Sequence, residues 1–371
     1  MFPYPIDNII MIGFGLLLCI LAIKKGYEPL LLLPIGFGAI IVNIPGGGLM
    51  SPPQNGEPGG ILHYIYQAGI ITELLPCLIF VGIGAMCDFG ALLERPWLMV
   101  FAAAGQIGIF VALLSALALG FQPLEASSIG IIGAMDGPTA IYTTSRFAAN
   151  LLPAVAVCAY SYMAMVPLFQ VPISKALTTR KERLIRMDYK PGAYSKNVRI
   201  AFPIVVTLVT CAVAPKATPL MGSLMLGNFM RESGVVDRLV KASENELANI
   251  VTLLLGITIG GTMMADRFLK PETLLIFILG IVAFVSALSI GILFGKLACY
   301  LTKGKVNPLL GACGVSAYPM AGRTAHMIGR KEDPDNWLLM HAVAVNTGGQ
   351  IASVVAGGAV LTFAPMILGI T

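Results

Sequence analysis

Long apolar runs punctuated by short polar or Gly/Pro-rich breaks organise this chain. Residues 9–23 form the first run and end at Lys24-Lys25, and residues 30–42 form the next, opened by Pro29 and closed by Pro45-Gly46-Gly47-Gly48. Both are shorter than the roughly 20 residues that a membrane-crossing helix needs. A Pro/Gly-rich loop over 51–60 leads into a third run, 61–86, that contains Glu73 and Pro76, and the proline predicts a kink there. Residues 97–120 read as the cleanest spanning helix, and a further run covers 151–177. The second half repeats the pattern with runs at 200–214, 219–230, 247–265 and 274–301, and a last run from Trp337 onward that Gly348-Gly349 is expected to interrupt. The runs are continuous and show no alternation, so they predict helices and not the ten-residue strands of a membrane barrel.

Composition turns that pattern into a class. The 371 residues are 57% hydrophobic and only 12% charged, about half the charged fraction of a soluble domain. The chain therefore reads as an all-α polytopic membrane protein. The opening MFPYPIDN has no basic stretch, so the first run is expected to be a retained anchor. The basic residues sit in loops between apolar runs and imply no nucleic-acid partner. Seven cysteines, among them Cys19, Cys77, Cys158, Cys211 and Cys299, include no CxxC pair and read as small buried hydrophobes.

Two stretches fit neither helix nor loop. Residues 133–146, GAMDGPTAIYTTSR, hold one carboxylate, Asp136, among Gly133, Gly137 and Pro138, with Thr139, Thr143, Thr144 and Ser145 following. Glycine and proline at that density break a helix, and a lone acid beside broken backbone in an apolar chain marks a functional site. Residues 311–323, GACGVSAYPMAGR, are broken in the same way but bring no acid.

The two stretches are related by position. A shift of 178 residues carries Gly82 onto Gly260, Asp88 onto Asp266 and Gly133-Ala134 onto Gly311-Ala312, and brings Arg146 within one place of Arg323. The chain divides accordingly into a first repeat over 1–178, a basic linker over 179–199 that includes Arg180, Lys181, Arg183, Arg186, Lys190, Lys196 and Arg199, and a second repeat over 200–371. Cytoplasmic loops carry the excess of Lys and Arg. With the linker inside, and with each broken stretch a re-entrant hairpin, only Arg146, Lys216, Arg267 and Lys270 fall outside. Each half then crosses about five times, the repeats are inverted, and the two hairpins are expected to meet near the midplane, where a transporter places its ion site.

The candidate chemistry is a set of hard oxygen donors around one negative charge. Asp136 supplies the charge. Asn307, Ser316, Tyr318 and the carbonyls near Gly311 and Gly314 come with the second broken stretch, Asn346 from the helix after it, and Tyr160, Ser161 and Tyr162 from the corresponding helix of the first half. A small hard cation prefers such ligands, and loose carbonyls of broken helices commonly hold sodium. His63, His326 and His341 are scattered, His341 reads as a bonded core residue, and no phosphate-cradling loop is present. The residues by themselves indicate a sodium or proton carrier.

Five runs, GAMDGPTAIYTTS, CAYSYMAMVPL, GNFMRESGVVDRL, NPLLGACGVSAYPMAGR and EDPDNWLLMHAVAVN, look like the membrane beta subunit of the sodium-pumping biotin-dependent decarboxylases, which act on oxaloacetate, methylmalonyl-CoA, glutaconyl-CoA or malonate. The resemblance covers nearly the whole chain. It implies decarboxylation of carboxybiotin delivered by a soluble carrier, coupled to sodium export with uptake of an external proton in the cell membrane. Biotin would come from a biotin carrier subunit, because no MKM-like tripeptide occurs here. The complex would also include a carboxyltransferase alpha subunit, which selects the acyl substrate, a small single-span membrane subunit, and a homo-oligomeric beta core. By motif, Asp136 resembles the family's essential acid and Tyr162 the tyrosine of its YSYM run. Asn307, Gly311, Ser316 and Arg323 match its second motif, with Ser316 a second sodium or proton ligand and Arg323 an anion contact for carboxybiotin. Asn346 matches an asparagine of the first sodium site. Met135, where many members have a smaller residue, implies different hairpin packing. A free-standing sodium-coupled carboxylate transporter or antiporter is the alternative, distinguished by independence from a biotinylated partner.

Overall fold

The structure, a computed structural model, describes residues 4–26, 29–54, 56–189 and 194–369; Lys190 and the two chain ends lie outside the described residues. Among those residues the fold is helical, with no strand beyond an isolated bridge between Gln54 and Glu57. The first half runs through α1 (Ile6–Lys25), α2 (Pro29–Val42), α3 (Ile61–Ile65), α4 (Leu74–Met86), α5 (Met99–Gly105), α6 (Ile107–Ala118), α7 (Pro123–Gly130), α8 (Gly137–Phe147), α9 (Leu152–Ala164) and α10 (Val166–Leu177). The second half contributes α11 (Lys196–Val213), α12 (Thr218–Ser233), α13 (Ala248–Gly261), α14 (Pro271–Leu301), α15 (Met320–Glu332) and α16 (Leu339–Ile367). Shorter turns connect them.

Five helical stretches are long and apolar enough to cross a membrane, and seven if each of two bent pairs counts as one span. Their outward faces are apolar: Leu16, Leu17 and Ile20 on α1 and Val205, Leu208 and Val209 on α11 are all exposed. An apolar surface of that extent is stable against lipid, not water. The protein is a multi-pass membrane protein.

One expected interruption is displaced and another is absent. The third run does bend, by 62°, but not at Pro76. The break lies at Thr72 and Glu73, and Glu73 adopts a left-handed φ of 66°. Pro76 sits in the first turn of α4, where a missing N–H costs nothing because those amides have no intrahelical acceptor. Residues 151–177 bend by 61° between α9 and α10. Conversely, Gly348-Gly349 does not interrupt the last helix, since α16 is continuous over 29 residues. Gly349 instead lets α16 press on the second broken stretch: a Cβ there would stand 2.7 Å from the Val315 carbonyl oxygen.

The two halves interlock reciprocally. α2 packs on α13 and α12 on α4. At the first crossing Gly38 faces Gly260, and at the second Gly227 faces Gly84, each glycine approaching the partner's backbone too closely for any side chain. Near these crossings Asn43 bonds the Met263 carbonyl and the Ala265 amide, just past α13, and Asn228 bonds the Cys87 carbonyl, just past α4. Such close backbone approach replaces the hydrophobic drive that lipid removes from helix association.

The basic linker is tied down more firmly than a solvated face would be. Arg183 pairs with Glu332, and Arg186 with Asp333. Asn307 and Asn336 both donate to the Arg183 and Ile185 carbonyls. Hydrogen bonds from Arg183 and Arg186 hold the carboxyls of Glu332 and Asp333 below the usual carboxylate range.

Candidate functional site

The first broken stretch runs through α7, tightens over Ile131–Ala134, breaks at Met135, and continues as α8. Met135 makes the break in a left-handed conformation, φ 55°, with its side chain buried. The bulk of the Met135 side chain is therefore absorbed into the core. Asp136 follows in extended backbone as the N-cap of α8, with Pro138 in the first helical turn, where proline is pre-organised.

Asp136 is only 3% exposed. Its Oδ2 accepts from the Thr139 hydroxyl at 2.8 Å and from the Ser353 hydroxyl at 2.6 Å, and its Oδ1 accepts from the Thr139 amide at 3.4 Å. All of these donors are neutral. No ion pair among the described residues includes Asp136. A buried carboxylate without a countercharge is unfavourable by several kcal/mol, so this site is complete only with a proton or a cation.

The second broken stretch begins at Asn307, whose side chain caps the tight turn Pro308–Cys313, and it meets the first directly. The Ser316 amide donates to the Ala134 carbonyl at 3.2 Å. The Ser316 hydroxyl donates to the Gly349 carbonyl at 2.7 Å, and the Gln350 amide donates to the Ser316 carbonyl. Asn346 donates to the Val315 carbonyl at 2.7 Å and accepts from the Gly322 amide at 3.4 Å. Gln106, between α5 and α6, donates to the Gly314 carbonyl at 3.1 Å. Asn346, Gln350 and Ser353 follow at four and three residues on α16, hence on one face. That face spans from the second broken stretch to the acid of the first.

The acceptor oxygens left over suit a hard cation. Gln350 Oε1, Thr143 Oγ1 and the Tyr160 hydroxyl are buried without a partner among the described residues. The Tyr160 ring packs directly on Gly137, beside Asp136. No group of three or more His, Cys, Asp or Glu side chains that could hold a metal occurs among the described residues.

Asp136, Ser316 and Asn346 are thus joined through α16. Other expected site residues lie apart from Asp136. Tyr162 donates to the Phe277 carbonyl at 2.6 Å and faces α14, the opposite side of α9 from Tyr160. The Asn307 side chain is engaged with the linker at Arg183 and Ile185. Gly311 packs against Gly291 of α14, and Arg323 is exposed. His341 is a bonded core residue, held by Arg95 at 2.6 Å. Three residues that contact this site were not singled out from sequence: Gln106, and, on α16, Gln350 and Ser353. The spacing of the last two from Asn346 was readable, but only on a helix that continues past Gly348-Gly349.

The sequence has relatives among known proteins along nearly its whole length. The family model for the Na+-transporting oxaloacetate decarboxylase beta subunit matches residues 7–364. The chain is 46% identical to the methylmalonyl-CoA decarboxylase subunit beta of Propionigenium modestum, over 96% of this chain and 94% of that protein. It is 47% identical to the glutaconyl-CoA decarboxylase subunit beta of Acidaminococcus fermentans (95% and 92%) and 42% identical to the oxaloacetate decarboxylase beta chain of Klebsiella pneumoniae (95% and 94%).

Proposed function

Because the chain belongs to the family of Na+-transporting oxaloacetate decarboxylase beta subunits, we propose that it decarboxylates carboxybiotin on a partner carrier and uses that step to export sodium across the cell membrane. The observation that carries this reading is Asp136, a buried carboxylate held only by neutral donors. Such a group binds sodium as its carboxylate or takes a proton in sodium's place, and the two states exclude each other. Decarboxylation breaks the N–CO2 bond of carboxybiotin, releases CO2, and leaves the electron pair on the biotin nitrogen, which takes up one proton. Proton delivery toward biotin and sodium loading at Asp136 are therefore two halves of one exchange.

The remaining residues have separable roles. Ser353, Ser316, Asn346 and Gln350 supply neutral oxygens around the acid. Arg323, exposed on α15, offers a positive contact to the carboxybiotin anion. Tyr162 fastens α9 to α14, and Asn307 and Gly311 set the shape of the second broken stretch. The reciprocal α2–α13 and α4–α12 packing supports two inverted repeats, and the Ser316–Ala134 hydrogen bond supports re-entrant hairpins that meet at their tips. The partners are a biotin carrier subunit, a carboxyltransferase alpha subunit, a small single-span membrane subunit and further copies of this chain. Dependence on the carrier tests the reading. Avidin added to the purified complex is expected to abolish sodium-stimulated CO2 release. Sodium transport by this chain that persists with the carrier removed would overturn it in favour of a free-standing transporter.

A further inference from the structure

α8 is more polar than its apolar surroundings require. From Asp136, Thr139, Thr143 and Arg146 follow at intervals of three, four and three residues, so they share one face. Thr139 and Thr143 are fully buried. The Thr139 hydroxyl is bonded to Asp136, whereas Thr143 Oγ1 has no partner among the described residues. Gly357, one turn beyond Ser353 on α16, faces this position. A Cβ there would collide with the Thr139 methyl, which is 2.5 Å away, and stand 3.6 Å from Thr143 Oγ1. Glycine at 357 lets α16 lie directly on the Thr139 and Thr143 side chains.

The stripe ends on an ion pair. Arg146 Nε and Nη2 donate to Glu73 Oε1 at 2.6 Å and Oε2 at 2.9 Å, and the guanidinium lies 5.1 Å over the Tyr142 ring. The Glu73 carboxylate is 11% exposed and the Arg146 side chain 42%. Glu73 occupies the left-handed break before α4, a conformation that is ordinarily left to glycine, so its carboxylate is kept there against a backbone cost. At the other end of α4, Asp88 pairs with Arg199 and Arg231 on the side of the basic linker. The Glu73–Arg146 pair therefore lies on the opposite side, about 15 Å along α8 from Asp136 at 1.5 Å per residue.

We propose that this face of α8 is the route by which the cation leaves Asp136, with Thr143 as a passing oxygen ligand and the Glu73–Arg146 pair as its closure. While paired, the two side chains bridge the break before α4 to the end of α8 and seal the stripe. When they part, the Glu73 carboxylate becomes the next ligand outward. This inference rests on the reading of Asp136 as the cation site.

The test uses the intact complex in liposomes, with 22Na+ flux measured with and without decarboxylation. The double variant Glu73→Gln/Arg146→Gln is expected to leak 22Na+ without substrate at least about tenfold faster than wild type, and to move at least about threefold less sodium per CO2. The exchanged variant Glu73→Arg/Arg146→Glu re-forms the pair and is expected to restore a low leak. Thr143→Val is expected to slow 22Na+ uptake severalfold. A double variant that decarboxylates with wild-type leak and wild-type stoichiometry would overturn the proposal. Should that variant not assemble, wild-type uptake by Thr143→Val would overturn it. A wild-type complex that moves no sodium would instead contradict the reading of Asp136.

Discussion

Asp136→Asn is expected to remove sodium-dependent decarboxylation and sodium transport together. The amide keeps the shape of the carboxyl group and can still accept from Thr139 and Ser353, so the hairpin is expected to fold. What disappears is the single negative charge. A charge pair at about 4 Å in a partly screened protein site contributes about 4 kcal/mol, which corresponds to a loss of sodium affinity of roughly a thousandfold. At ordinary sodium concentrations the variant complex should show no turnover above background. Decarboxylation of carboxybiotin by this variant at near wild-type rate, with sodium-dependent kinetics, would show that the charge is not what binds the ion.

The second large effect concerns the neutral oxygens. Ser353→Ala removes the hydroxyl that lies 2.6 Å from Asp136 Oδ2, and Ser316→Ala and Asn346→Ala remove oxygens from the second broken stretch and from α16. Each hydroxyl or amide oxygen has lone pairs beyond the hydrogen bonds it makes in this structure. Loss of one neutral ligand from a buried site costs about 1–3 kcal/mol, so the half-saturating sodium concentration is expected to rise roughly five- to hundredfold. A packing role predicts less folded protein with unchanged sodium dependence in what remains. Arg323→Ala is the internal contrast: a contact to carboxybiotin lowers turnover and leaves the sodium curve in place. Sodium curves for Ser316→Ala and Asn346→Ala that superimpose on wild type would refute coordination by these residues. Rate against sodium, measured on purified variant complexes, separates the cases.

Much of this architecture can be read from the chain because lipid imposes a simple rule. Apolar runs become helices, since no other local structure satisfies the backbone in hydrocarbon. Gly133, Gly137 and Pro138, and then Gly311, Gly314 and Pro319, mark where that rule is broken. The acid at Asp136 was legible for the same reason, as an expensive residue in an apolar setting. What sequence misjudged were local breaks whose cause is tertiary. Pro76 was tolerated within the first turn of α4, while Glu73, an unremarkable residue by propensity, took the left-handed turn because its carboxylate is bound by Arg146. Gly348-Gly349 marks a close approach of α16 to Val315 and not an interruption. Reading it as an interruption hid Gln350 and Ser353, which lie in register with Asn346 only on an unbroken helix. Tyr160 and Tyr162, two residues apart, point to different neighbours, and no feature of the local sequence tells which of the two lies beside Asp136.

If one buried carboxylate couples carboxybiotin decarboxylation to sodium movement, the two fluxes must rise and fall together. The most direct measurement is the simultaneous release of CO2 and uptake of 22Na+ by the intact complex in sealed liposomes. The account predicts that sodium enters in fixed proportion to the CO2 released, that both stop together when sodium is withdrawn, and that both are absent with Asp136→Asn. CO2 release that continues at an undiminished rate without sodium, with no accompanying uptake, would contradict it.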